Sequence, residues 1–269
     1  EQMKNGGQLA VDEINAAGGV GGRMIKLVAL DTDLVSPEKI QQNYQKLADQ
    51  GVDAIINGYL LAWDAAMDAA ATYKAPFLNA STSQAQCDKI NSDAKYNCIF
   101  QIDPPETWYG RGFPSFLNNL VAGGKWKPRN KKIFIVEGNV PTVTGVYGDA
   151  IGKSFGERYQ AAFNKPCGYS NSGSGYDEVY MLANVWAMLG DTKDFTKVCD
   201  ALRKIIWRGV NGGYFMEKNY GLSFPAEQPD MSLSQAHLFF QIQNGANGTI
   251  IQPAPFTNGE FQLAPWMKG

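Results

Sequence analysis

The chain has 269 residues, more than one compact core needs and comfortable for two. Apolar residues make up 44% and charged residues 19%, which permits a true core and excludes a disordered chain. A formal charge of -2 leaves no basic excess for a nucleic-acid partner, and no apolar run nears the roughly 18 residues of a membrane-spanning helix. No leader is visible, but the opening residues read as the interior of a domain, as they would after a leader had been removed.

Residues 6–17 place Ala10, Ile14 and Ala17 on one helical face, and Gly18 and Gly19 provide a left-handed stop. Residues 24–30, MIKLVAL, predict a buried strand ending at Asp31. Ser36 is a good N-cap ahead of Pro37, and Ile40, Tyr44 and Leu47 then form an apolar stripe closed by Gly51. A short strand over 53–57, an Ala-rich helix over 64–73 and a strand over 75–79 follow. This βαβα rhythm predicts an α/β fold with parallel sheets flanked by helices. Ligands of such sheets sit beyond the carboxyl ends of the strands, which singles out the loops 31–36, 58–63 and 80–85.

A Gly- and Pro-bearing connector over 123–129 marks a change of composition, and KKIFIVEG (131–138) predicts a strand in a second lobe. Helices are expected over 156–164, 176–189 and 195–204. The tail from residue 209 reads as antiparallel strands and loops. Crossovers near Val121 and Ile205 divide the chain into 1–121 and 162–205 for one lobe, and 122–161 and 206–269 for the other.

Cys87 and Cys98 bracket a polar stretch that has little reason to hold two thiols unless they are bonded to each other. Cys167 and Cys199 are then the second pair. Four cysteines allow three pairings, and sequence does not choose among them. Disulfides imply an oxidising compartment; four unrelated thiols are the alternative. With one histidine, His237, and no Cys-x-x-Cys, no zinc site is expected. The chain has no nucleophile elbow, P-loop or dinucleotide fingerprint, so no cofactor and no enzyme chemistry is expected. Asp31 and Asp33, at a strand's carboxyl end, keep a metal-assisted hydrolase as an alternative.

Hydroxyl and aromatic groups remain on the loops that matter. Ser81, Thr82 and Ser83 follow the strand ending at Asn79, and together with Asn79 they are candidate ligand-binding residues that can converge on a carboxylate or amide. Tyr59 and Trp63 flank the neighbouring strand end and can pack flat on a ligand. Singly, each is better read as a helix cap or a core aromatic; together on adjacent strand ends they favour a ligand site.

The segment GGQLAVDEINAAGGVGGRMIKLVALDT resembles the opening helix and strand of the type I periplasmic solute-binding proteins, the Leu/Ile/Val-binding family of ABC importers. SPEKIQQNYQKLADQGVDAIING, APFLNASTS, VYGDAIGKSF and GYDEVY continue the likeness through most of the chain. It implies a two-lobed fold with a ligand cleft between lobes and a role as substrate-binding component of an importer. The partners would be a small-molecule ligand and a membrane permease, the location periplasmic or secreted, and the protein a monomer. A receptor's ligand-sensing domain shares this fold. By similarity Ser81, Thr82 and Ser83 grip the ligand carboxylate, and Tyr147, in its Tyr-Gly pair, closes over the ligand. Ala62-Trp63 stands where amino-acid binders have a hydroxyl pair, which suits a flatter or more apolar ligand. Family members also open with a strand that is absent here, and much of lobe two is missing. The expectation is therefore a polypeptide larger than these residues.

Overall fold

The structure is a computed structural model that describes residues 1–129, 145–216, 235–243 and 248–263, apart from the side chains of Trp108, Tyr109 and Arg111. Helix α1 (Gln2–Ala16) buries Gly6, Gly7, Leu9, Ala10 and Val11 against α7 (Asn171–Leu189). The two helices approach so closely that a Cβ on Gly6 would lie 1.8 Å from the Ser172 carbonyl oxygen. Gly18 and Gly19 then take φ of 103° and 74°, the left-handed stop expected after a helix.

Residues 24–30 are not a strand. Ile25 exchanges two hydrogen bonds with the Asn15 side chain, at 2.8 and 2.9 Å, and its neighbours make no backbone hydrogen bond among the described residues. The apolar pattern is used, since Ile25 and Leu27 pack on the core. Pairing needs an adjacent strand as well, and a cavity of about 410 Å³ lies between residues 23–28 and residues 52–56.

Helix α2 (Pro37–Asp49) starts as expected, with the Ser36 hydroxyl accepting from the Lys39 N–H and Pro37 in the first turn. Three short strands follow in parallel and in chain order: β1 (Ile55–Asn57), β2 (Phe77–Asn79) and β3 (Ile99–Gln101). Helix α3 (Trp63–Tyr73) links the first two, and α4 (Gln84–Ser92) with a 3-10 turn at Ala94–Tyr96 links the second pair. Phe77, Leu78, Ile99 and Phe100 anchor the main core, joined by Ile40, Met67, Val185 and Leu202. Both faces of this sheet are covered, which explains why its strands read as continuous apolar runs.

Helix α5 (Thr107–Ala122) stacks Phe116 on Phe239 with centroids 4.3 Å apart. Helix α6 (Ala150–Phe163) begins at an Asp149 cap and packs Phe155 and Tyr159 beside α1 and α7. Helix α8 (Phe195–Leu202) precedes two antiparallel hairpins, β4 (Ile206–Gly209) with β5 (Gly212–Phe215) and β6 (Phe239–Ile242) with β7 (Gly248–Gln252). The antiparallel tail is thus as expected. A smaller core of Tyr147, Ala236, Leu238, Ile250 and Phe256 lies beneath the second hairpin. The strand expected over 131–138 falls outside the described residues.

The disulfide expectation is corrected. All four cysteines are free; Cys87, Cys98 and Cys199 are buried and Cys167 is half-buried. The stretch between Cys87 and Cys98 is a helix and a 3-10 turn, and it turns both thiols inward, where they pack as small apolar groups. Cys98 donates to the Ala70 carbonyl at 3.7 Å instead of facing Cys87. Burial pushes the Cys87, Cys98 and Cys199 thiols up to about 12, 11 and 12, so they stay protonated.

Candidate ligand site at the strand ends

The carboxyl ends of the three strands carry an amide at the same register position: Asn57 faces Asn79, and Asn79 faces Gln101. Asn57 Nδ2 donates to Asn79 Oδ1 at 2.8 Å, and Asn79 Nδ2 donates to Gln101 Oε1 and to Gln86 Oε1, both at 2.7 Å. Gln101 Nε2 closes the network on Gln86 Oε1 at 2.9 Å. Asn79, Gln86 and Gln101 are each 1% exposed or less, so the ladder is a dry floor beneath the loops.

Loop 80–83 rises from that floor. Ser81 is buried; its hydroxyl donates to the Leu60 carbonyl at 2.9 Å and accepts from the Leu60 N–H at 3.1 Å. It therefore ties the β1 loop to the β2 loop, and its one proton is spent there. The Thr82 hydroxyl donates to the Pro104 carbonyl at 2.9 Å, and Ser83 caps α4 by accepting from the Gln86 N–H at 3.2 Å. The backbone N–H groups of Thr82 and Ser83 have no partner among the described residues. Two half-buried residues thus offer unpaired donors just ahead of a helix amino end, an arrangement that attracts an anion or a carbonyl oxygen.

The aromatic residues divide. Tyr59 is 40% exposed on the β1 loop, with Leu61 beside it at 46%. The Leu34 carbonyl accepts from the N–H groups of both Leu61 and Ala62 at 3.0 Å, which fixes loop 31–36 against loop 58–63. Trp63 opens α3 and packs on the main core. Tyr147 lies away from these loops, 1% exposed in the smaller core. Its ring stacks on Phe256 at 3.9 Å, its hydroxyl accepts from the Ala236 N–H at 2.7 Å, and the Arg208 guanidinium sits 4.8 Å from its centroid. Leu34, Leu61, Gln86 and Gln101 escaped the sequence reading. Only the shared strand-end position of the amides could have revealed any of them.

Of the two alternative acids, Asp33 is engaged locally. Asp33 accepts from the Val35 N–H, which with Lys39 at 3.4 Å holds its carboxyl below the usual range. His237 is buried and pushed down to about 4 by desolvation, so it is neutral at physiological pH. Among the described residues no helix is long and apolar enough to cross a membrane.

The parallel sheet with polar loops at its carboxyl edge is the architecture of the periplasmic binding proteins, and the chain belongs to that family, which it matches over residues 1–136. Solved structures of the same fold include a putative branched-chain amino acid ABC transporter protein from Silicibacter pomeroyi, 24% identical with a TM-score of 0.87, over 99% of this chain and 95% of that one. A periplasmic binding protein type 1 from Bordetella pertussis is 17% identical with a TM-score of 0.64, over 82% and 89% of the two chains. A branched-chain amino acid transporter substrate-binding protein from Streptococcus pneumoniae, in complex with isoleucine, is 16% identical with a TM-score of 0.56, over 94% of each chain. At these identities the likeness is one of fold. No curated protein matches the chain significantly.

Proposed function

We propose that the protein is the substrate-binding component of an ABC importer and captures a small amino acid, amide or carboxylate in a cleft at the strand ends. The observation that carries this reading is the pair of unpaired N–H groups at Thr82 and Ser83, set beside exposed Tyr59 and Leu61 over the buried amide floor. Unpaired donors receive the ligand's oxygen, and the aromatic and aliphatic side chains take its body. The solved relatives named for branched-chain amino acid transport point to a ligand of that size. Tyr147 belongs to the lobe that would close over it. The same reading places the protein in the periplasm as a monomer, with a membrane permease as partner. It binds without turnover.

A thermal-shift screen of branched-chain and aromatic amino acids, their amides and their keto acids tests this. A ligand that binds only the native state raises the melting temperature with concentration and is recovered unchanged. Chemical conversion of the ligand would overturn the reading.

A further inference from the structure

The amino end of α4 already holds a carboxylate. Glu106 Oε2 accepts from the Gln84 N–H at 2.8 Å, next to the capping Ser83. Glu106 lies on the segment that leaves β3, and two more contacts bind this segment to loop 80–84. They are the Thr82 hydroxyl on the Pro104 carbonyl at 2.9 Å and the Thr107 hydroxyl on Gln84 Oε1 at 3.5 Å. Glu106 is exposed and makes no ion pair among the described residues. Its negative charge is therefore offset only by the helix end and solvent.

We infer that Glu106 is a specificity residue that biases the strand-end site toward an amide and against a carboxylate. The inference rests on the ligand site proposed above. A ligand carboxylate seated on the Thr82 and Ser83 N–H groups would stand beside the fixed Glu106 charge and compete with it for the same helix end. Two anions on neighbouring donors of one helix end repel, and no cation on the loop relieves them. An amide presents the same carbonyl oxygen to the N–H groups without the charge. Its NH2 group can in turn donate to the free oxygen of Glu106, a charge-assisted hydrogen bond that a carboxylate cannot form. The loop thus discriminates by charge at one end of the ligand and leaves the body to Tyr59 and Leu61.

Calorimetry with leucine and leucinamide on the wild type and on Glu106→Gln is the first arm. Glu106 is exposed, and glutamine keeps its length and one acceptor oxygen, so the variant folds. The wild type is expected to prefer leucinamide, and Glu106→Gln to shift the ratio of the two affinities toward leucine by about tenfold. An unchanged ratio, or a wild-type preference for leucine that the variant retains, overturns the inference. The second arm needs no amino acid to bind. Acetate titrated into labelled protein should move the Gln84, Thr82 and Ser83 amide resonances in Glu106→Gln and leave them nearly still in the wild type. Equal shifts in both proteins overturn the inference. If neither leucine nor leucinamide binds but the acetate difference is seen, the anion competition stands and the ligand assignment falls.

Discussion

Asn79 Nδ2 lies 2.7 Å from Gln101 Oε1 across register partners of β2 and β3, and it also lies 2.7 Å from Gln86 Oε1 on the helix between them. One amide thus joins two strands and a helix inside a region that excludes water. Asn79→Leu keeps the branched shape and strips four neighbours, Asn57, Ser81, Gln86 and Gln101, of a partner. The expected loss is about 2–4 kcal/mol in denaturant unfolding, because Gln101 Oε1 and the Ser81 N–H stay buried and lose the partner Asn79 gave them. A change below half a kcal/mol would show that the ladder is not a cooperative unit.

Glu178 gives a pH prediction. It is fully buried on α7, and neither carboxylate oxygen has a hydrogen-bond partner among the described residues. Desolvation, then the Asp103 and Asp177 charges, holds its carboxyl well above the usual range, and Tyr44 also lies within its field. Asp177 is raised to about 6, chiefly by burial, against bonds from the Val210 and Asn211 N–H groups and the Tyr214 hydroxyl. A raised acid binds its proton more tightly folded than unfolded, so its stabilisation is full below the unfolded value and fades as pH climbs through the folded one. Stability should therefore fall with rising pH from 3.8 to about 6 through Asp177, and further through Glu178. Glu178→Gln removes the second part and should be more stable than wild type at neutral pH. Parallel pH curves for the two proteins would contradict this.

The thiols offer a third check. In the folded protein, iodoacetamide should reach Cys167 first, since it is the only cysteine not fully buried. Cys87, Cys98 and Cys199 should react only on unfolding, without any prior reduction. A non-reducing digest containing a Cys87–Cys98 or Cys167–Cys199 peptide would restore the bridges.

Periodicity and caps carried most of the fold. Ser36 with Pro37, the Gly18-Gly19 stop and the apolar strands ending at Asn57 and Asn79 are local signals, and each element formed where its local chemistry favoured it. Residues 24–30 show the limit. Their apolar pattern is real, but a strand is a property of two segments, and the pattern does not report whether a neighbour is present. The polar stretch around Cys87 misled for a related reason. An amphipathic helix with a buried thiol and a thiol-bearing loop share one composition. At the candidate site, the strand-end rule picked out loop 80–83. It did not show that Ser81 spends both hydrogen bonds on Leu60, because that partner comes from a different loop. Glu106 was invisible for the same cause, reaching Gln84 across 22 residues of sequence.

Calorimetric titration of the intact protein with branched-chain amino acids and their amides, repeated on a protein with Tyr59→Ala and Leu61→Ala, tests the strand-end ligand site most directly. One ligand should bind at a single site per chain, and the double variant should bind it at least about tenfold more weakly while keeping its melting temperature, because both side chains are exposed and leave no hole in the core. Equal affinity in the two proteins would contradict the placement of the ligand at the strand ends, and no binding by any amino acid, amide or carboxylate would contradict the function itself.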